Sequence, residues 1–182
     1  MANNGVKLDD INNYVEAVKA DKDNAKVQFI ARSRWTGGTA ATVTCSEFNV
    51  NGEPGSRGGR EFSFNVDEPA ALGGEDSAPN PVEYLAGALC GCLTAGIATN
   101  SALFGNDLEK IEVEVKVDFD LMGVLGMDRS VPLNAMKLHY KVKLKGADKE
   151  STLRSKETLD RKSAIRNTLQ LPLHITTEVE VE

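Results

Sequence analysis

From Ile111 to Phe119 every second residue is apolar (Ile111, Val113, Val115, Val117 and Phe119), and the residues between them are all charged. A period of two with one apolar side predicts a strand that covers a core on one face only. Met136, Leu138, Tyr140, Val142 and Leu144 repeat the pattern, and the stretch Leu173–Glu182 alternates again as a final strand. Three more strands are expected earlier. In Lys26–Trp35 one face carries Val27, Phe29, Ala31 and Trp35, and the other Gln28, Arg32 and Arg34. Trp35–Gly38 reads as a turn into the strand Thr39–Phe48. A loop with four glycines and a proline, Asn51–Gly59, precedes the strand Arg60–Val66.

Elsewhere the period lengthens to that of a helix. Leu8, Ile11, Val15 and Val18 form one apolar stripe. Asn80-Pro81 opens a second helix, with Asn80 as N-cap, Pro81 in the first turn and Glu83 placed to close a capping box. That helix, about residues 82–103, is rich in Ala and Gly and poor in charge, so it is expected to be covered on most sides. Residues 148–169 are charged and helical, with an interruption near Ser163. The order α-βββ-α-ββ-α-β with half-polar strands predicts an α+β fold. We read residues 1–182 as a single domain, with 1–24 as an N-terminal helical extension.

Composition removes several classes of function. The 182 residues include 41% apolar residues, enough for a packed core, and a net charge of −6 with no basic run argues against nucleic acid as a partner. The first residues lack the basic and apolar regions of a secretion signal, and the most apolar stretch, Tyr84–Ala98, is short for a membrane span. Three cysteines without a secretion signal fit free thiols in the cytoplasm. With only two histidines, His139 and His174, no metal site and no cofactor are expected.

The chemistry left to the chain is that of thiols. Cys90 and Cys92 lie two apart on the apolar helix, so their side chains point about 200° apart and cannot share one site. Either one can be an inert packed thiol. The run from Asp67 to Leu93, DEPAALGGEDSAPNPVEYLAGALCGCL, followed by IEVEVKVDFDLMGVLG, resembles the OsmC/Ohr family of osmotically inducible and organic hydroperoxide resistance proteins. The resemblance implies two sheets packed around a long central helix in an intertwined homodimer. It also implies a thiol peroxidase acting on organic hydroperoxides, with Cys92 as the reacting residue and the site at the dimer interface.

The thiolate attacks a peroxide oxygen and becomes a sulfenic acid, and this far inside a helix it needs a neighbouring cation for support. The family pattern has an arginine after the first strand turn and a glutamate directly after Asn-Pro. Here those positions hold TGGTAAT and Val82. Arg34 and Arg32 on the polar strand face are the substitute cations to consider, with Arg57 and Arg60 weaker ones. Glu83, one residue displaced, is the substitute carboxylate, unless it only caps the helix. The resolving cysteine of the family is replaced by Ser163, so the sulfenic acid must be resolved by Cys45 or by an external thiol reductant. Two other readings stay open: a non-catalytic protein binding a small hydrophobic ligand, and a redox sensor whose Cys92 oxidises without turnover.

Overall fold

The computed structural model describes residues 4–55 and 59–181, so Arg57 lies outside the described residues. Two antiparallel sheets and one long helix make up an α+β architecture. The chain forms two compact units, Lys7–Leu85 and the remainder from Ala86 onward with residues 4–6.

The first unit opens with α1 (Leu8–Ala20), followed by β1 (Val27–Gly37), β2 (Ala40–Val50), the two-residue strand β3 (Glu53–Pro54) and β4 (Phe62–Val66). β2 is the centre of the sheet, with β1 on one side and β3 and β4 on the other, all antiparallel. The sheet has one apolar and one polar face. Phe29 packs on Phe48, while Thr42 bonds Asn65 and Thr44 bonds Ser63. The apolar face stays open within one chain: Phe29 is 78% and Trp35 74% exposed. Asp67, just after β4, is the single buried residue among those described in this unit. Its two oxygens accept hydrogen bonds from the Thr39 hydroxyl (2.6 Å), the Ser77 hydroxyl (2.8 Å) and the backbone N–H groups of Glu68, Glu75 and Ser77. These bonds, led by Thr39 and then Ser77, hold its carboxyl far below the usual carboxylate range.

The long helix α2 (Pro81–Leu103) begins with the expected capping box: Glu83 N–H donates to Asn80 Oδ1 (2.9 Å), and Asn80 N–H to Glu83 Oε2 (2.8 Å). Within the second unit, α2 is followed by β5 (Leu108–Asp118), the one-turn α3 (Leu121–Val124), β6 (Lys137–Gly146), α4 (Lys149–Lys162) and α5 (Ala164–Gln170). β5 and β6 pair as a hairpin over their whole length, and their apolar face receives the helices. Leu89, Leu93 and Ile97, spaced four apart on α2, are buried with Leu159 of α4 against Ile111, Val113, Val115, Leu138 and Val142. α4 approaches so closely that a Cβ on Gly96 would lie 2.2 Å from a Leu159 methyl, so glycine at this position makes room for Leu159. Buried polar pairs tie α4 further along to the end of α2, with Ser101 bonded to Ser155 (2.8 Å), and to the loop after it, with Asn106 bonded to Thr152 (2.9 Å).

One expectation needs correction. The alternating stretch from Leu173 is not a strand as far as it is described, with Glu182 outside the described residues: residues 171–181 have no regular structure, and Ile175, Val179 and Val181 are 82%, 82% and 92% exposed. Alternation specifies which side chains share a face, but a strand also needs an edge to bond to, and none in this chain receives it. α2 has the expected span of about residues 82–103, and at 23 residues it is, by length and composition alone, long and apolar enough to cross a membrane. The same description fits the core helix of a folded unit, and the stripe Leu89–Leu93–Ile97 is fully buried against the hairpin.

Candidate functional site

α2 sends its two thiols to different elements, as positions two apart on a helix must. Cys90 Sγ donates to the backbone carbonyl of Val113 on β5, at 3.7 Å. Its proton is therefore occupied, and a thiolate there would face the negative end of a carbonyl dipole. Cys92 Sγ lies 3.2 Å from the hydroxyl oxygen of Ser163. All three cysteines are free thiols, and Cys92 is half-buried.

Ser163 is the residue at which the charged C-terminal helix breaks. Its N–H still closes the last turn of α4 on Leu159 O (2.7 Å), while its extended ψ redirects the chain into α5. Its Oγ then caps α5 by accepting the Arg166 N–H at 3.2 Å. The side chain is thus locked in place and only 1% exposed.

A polar cluster lies alongside it. The Arg166 guanidinium donates to the Asp160 carbonyl (2.7 Å), to Gln170 (3.0 Å) and to the Tyr140 hydroxyl (3.2 Å). Tyr140 donates to Asp160 Oδ1 (2.8 Å), and Lys156 pairs with Asp160 Oδ2 (2.5 Å). Burial, followed by the Asp160 carboxylate, pushes the Tyr140 hydroxyl above its ordinary value and keeps it a donor to Asp160. Two cations around one carboxylate leave the cluster with an excess of positive charge. Beside it, β6 and α4 enclose a groove of about 610 Å³ with apolar walls from Val142, Leu144 and Leu153 and lysines at its rim. Neither Cys92 nor Ser163 lines that groove.

The other candidates belong to the first unit. Arg32 makes an exposed ion pair with Glu47 across the sheet (3.1 Å). Arg34, opposite Thr42, has no hydrogen-bond or ion-pair partner among the described residues. Glu83 uses its carboxylate to cap α2. Cys45 stands opposite Phe62, and its carbonyl accepts from Arg60, whose guanidinium lies over the rings of Phe48 and Phe62. No cluster of His, Cys, Asp or Glu suited to a metal ion occurs among the described residues. Tyr140, Lys156, Asp160 and Arg166 were not singled out from the sequence. Only the pairing of Ser163 with an arginine three residues on, across a helix break, hints at them.

The family described as OsmC-like protein matches residues 74–178, which is more than half of the chain. The chain belongs to the OsmC family. The matched segment contains α2, the β5–β6 hairpin, α4 and α5, and therefore both Cys92 and Ser163. Among solved structures, the OsmC-like protein of Mycoplasma pneumoniae has a TM-score of 0.58 at 12% identity, covering 79% of this chain and 87% of that one. The organic hydroperoxide resistance protein OsmC of Legionella pneumophila has a TM-score of 0.53 at 17% identity, covering 79% and 89%. At such identities the likeness is one of fold, and this chain has the OsmC-like fold. No curated protein matches the sequence.

Proposed function

We propose that this OsmC-family protein is a thiol peroxidase that reduces organic hydroperoxides through Cys92. The observation that carries the reading is the contact of the Cys92 sulfur with the buried Ser163 hydroxyl, while Cys90 spends its proton on a backbone carbonyl. The Legionella protein, named for organic hydroperoxide resistance, lends support. The Cys92 thiolate attacks the terminal peroxide oxygen, an S–O bond forms, the O–O bond breaks, and the alkoxide leaves as alcohol after taking a proton. Sulfur loses two electrons and becomes sulfenic acid. Two external thiols then return Cys92 to the thiol, releasing water and their own disulfide. No cofactor enters this cycle, and the cytoplasm is the compartment that supplies the thiols.

The working form in this reading is a homodimer. Only five apolar residues are buried among those described in a chain of 182, too few to stabilise a domain of that size alone. Among the described residues both outer edges of the β5–β6 hairpin are unpaired, and the groove beside β6 has apolar walls. The polar face of β6 carries Lys137, Lys141, Lys143 and Lys145, and the unpaired segment 173–181 alternates Glu178 and Glu180 with Val179 and Val181. A second copy's C-terminal segment laid along β6 satisfies hydrogen bonds, apolar faces and charges together.

Hydroperoxide consumption with dithiothreitol, wild type against Cys92→Ser, tests the function. Multiple turnovers lost in the variant are expected. One equivalent consumed per chain would instead make the protein a sensor, and none at all would favour a non-catalytic protein that binds a small hydrophobic ligand.

A further inference from the structure

We infer that Ser163 is the hydrogen-bond donor to the Cys92 sulfur, positioning it for reaction and denying the oxidised residue an internal thiol. This rests on the reading of Cys92 as the reacting group. A serine hydroxyl has one proton and two lone pairs. One lone pair of Ser163 Oγ takes the Arg166 N–H, and the residue is 1% exposed, so bulk water does not compete for the proton. A buried hydroxyl proton needs an acceptor, and Cys92 Sγ at 3.2 Å is the one in reach.

The two states of the sulfur do not benefit equally. Against a neutral thiol either atom can donate; against a thiolate only O–H···S⁻ is possible, and a bond to an ionised partner is roughly twice as strong. The hydroxyl therefore bonds more strongly to a sulfur that carries charge while it reacts than to the resting thiol. The donor is well placed because α5 is anchored: Arg166, whose N–H fixes the Ser163 rotamer, is itself held by Tyr140, the Asp160 carbonyl and Gln170. Arg166 is in this sense a positioning residue, acting through Ser163.

After oxidation the same contact has a second consequence. A thiol at this position would displace water from the sulfenic acid and close a disulfide; a hydroxyl does not resolve it and only bonds to it. The sulfenic acid waits for an external thiol, and excess hydroperoxide carries it to sulfinic acid.

The test reads Cys92 alkylation by iodoacetamide at pH 7, peptide by peptide, in the full chain with Ser163→Ala and Ser163→Gly. Glycine serves as a helix N-cap nearly as well as serine, so a loss common to both variants belongs to the hydroxyl. We expect about tenfold slower alkylation of Cys92 with Cys90 unchanged. A rate within about twofold of wild type in Ser163→Gly overturns the assignment. Ser163→Cys treated with diamide checks the placement without any hydroperoxide: a bridge from Cys92 to the introduced thiol is expected, and its absence counts against the proposal whatever the alanine and glycine variants do. If Cys92 alkylates as expected yet ignores hydroperoxide, the peroxidase reading fails and the role of Ser163 stands.

Discussion

The two units of this chain are held together by opposite means. In the unit beginning at Ala86, apolar side chains from α2 and α4 are buried against the hairpin, and no buried side-chain nitrogen or oxygen among the described residues lacks a hydrogen-bond partner. In the unit Lys7–Leu85, the single buried residue among those described is a carboxylate, Asp67, while the apolar face of the sheet is open. Where a core exists, packing fixes the fold and hydrogen bonds trim it. Where none exists within one chain, a hydrogen-bonded anion fixes the loop, and the apolar face stays exposed. The proposed function places its thiol chemistry in the packed unit, where the buried Ser163 hydroxyl lies against the Cys92 sulfur.

The sharpest way to break this contrast is to attack each unit at its anchor. Leu93→Ala removes the middle of the buried stripe, and urea unfolding should register a loss of about 2–5 kcal/mol; a loss well under 1 kcal/mol would mean that this stripe is not the core. Asp67→Asn should cost less, lowering the melting midpoint by several degrees at pH 7. Its sign with pH is fixed by the depressed folded value. The stabilisation is complete above the unfolded carboxyl value of about 3.9 and is lost as pH falls below it towards the folded value. The gap between wild type and variant should therefore be constant from pH 8 to about pH 5 and narrow below about pH 4. A gap that widens in acid would contradict the account of the carboxylate.

Smaller effects sharpen the picture. Wild type should sediment as a dimer at micromolar concentration, and Val179→Asp, on the apolar side of the unpaired segment, should weaken that dimer by about tenfold or more, or about 1.4 kcal/mol. Unchanged dimerisation would remove the segment from the interface. Asn80→Ala should cost about 1 kcal/mol through the lost cap of α2, with hydroperoxide turnover of the folded protein preserved.

Local rules made much of this legible in the sequence. Asn80 and Glu83 form the capping box that their spacing predicts, the hairpin strands fall on the two clean alternations, and the charged helix breaks at Ser163. These features depend on neighbours within a few residues. The failures depend on distant ones. Nothing local distinguishes the alternation of 173–181, which finds no edge, from that of 137–146, which does. The polar cluster beside Ser163 is of the same kind: Arg166 donates its backbone N–H to Ser163, and its guanidinium is held by Tyr140 from 26 residues away. Asp67 looks in the sequence like any loop aspartate, because its donors Thr39 and Ser77 come from either side of it.

The central claim is that Cys92, facing Ser163, is the thiol that reacts. One equivalent of cumene hydroperoxide followed at once by a sulfenic-acid probe, with each cysteine peptide weighed separately, addresses it directly. The probe should mark Cys92 strongly and leave Cys90 and Cys45 almost unmarked, and added peroxide should carry the Cys92 peptide to two extra oxygens without a Cys45–Cys92 bridge. Preferential marking of Cys90, or a dominant bridge to Cys45, would contradict it.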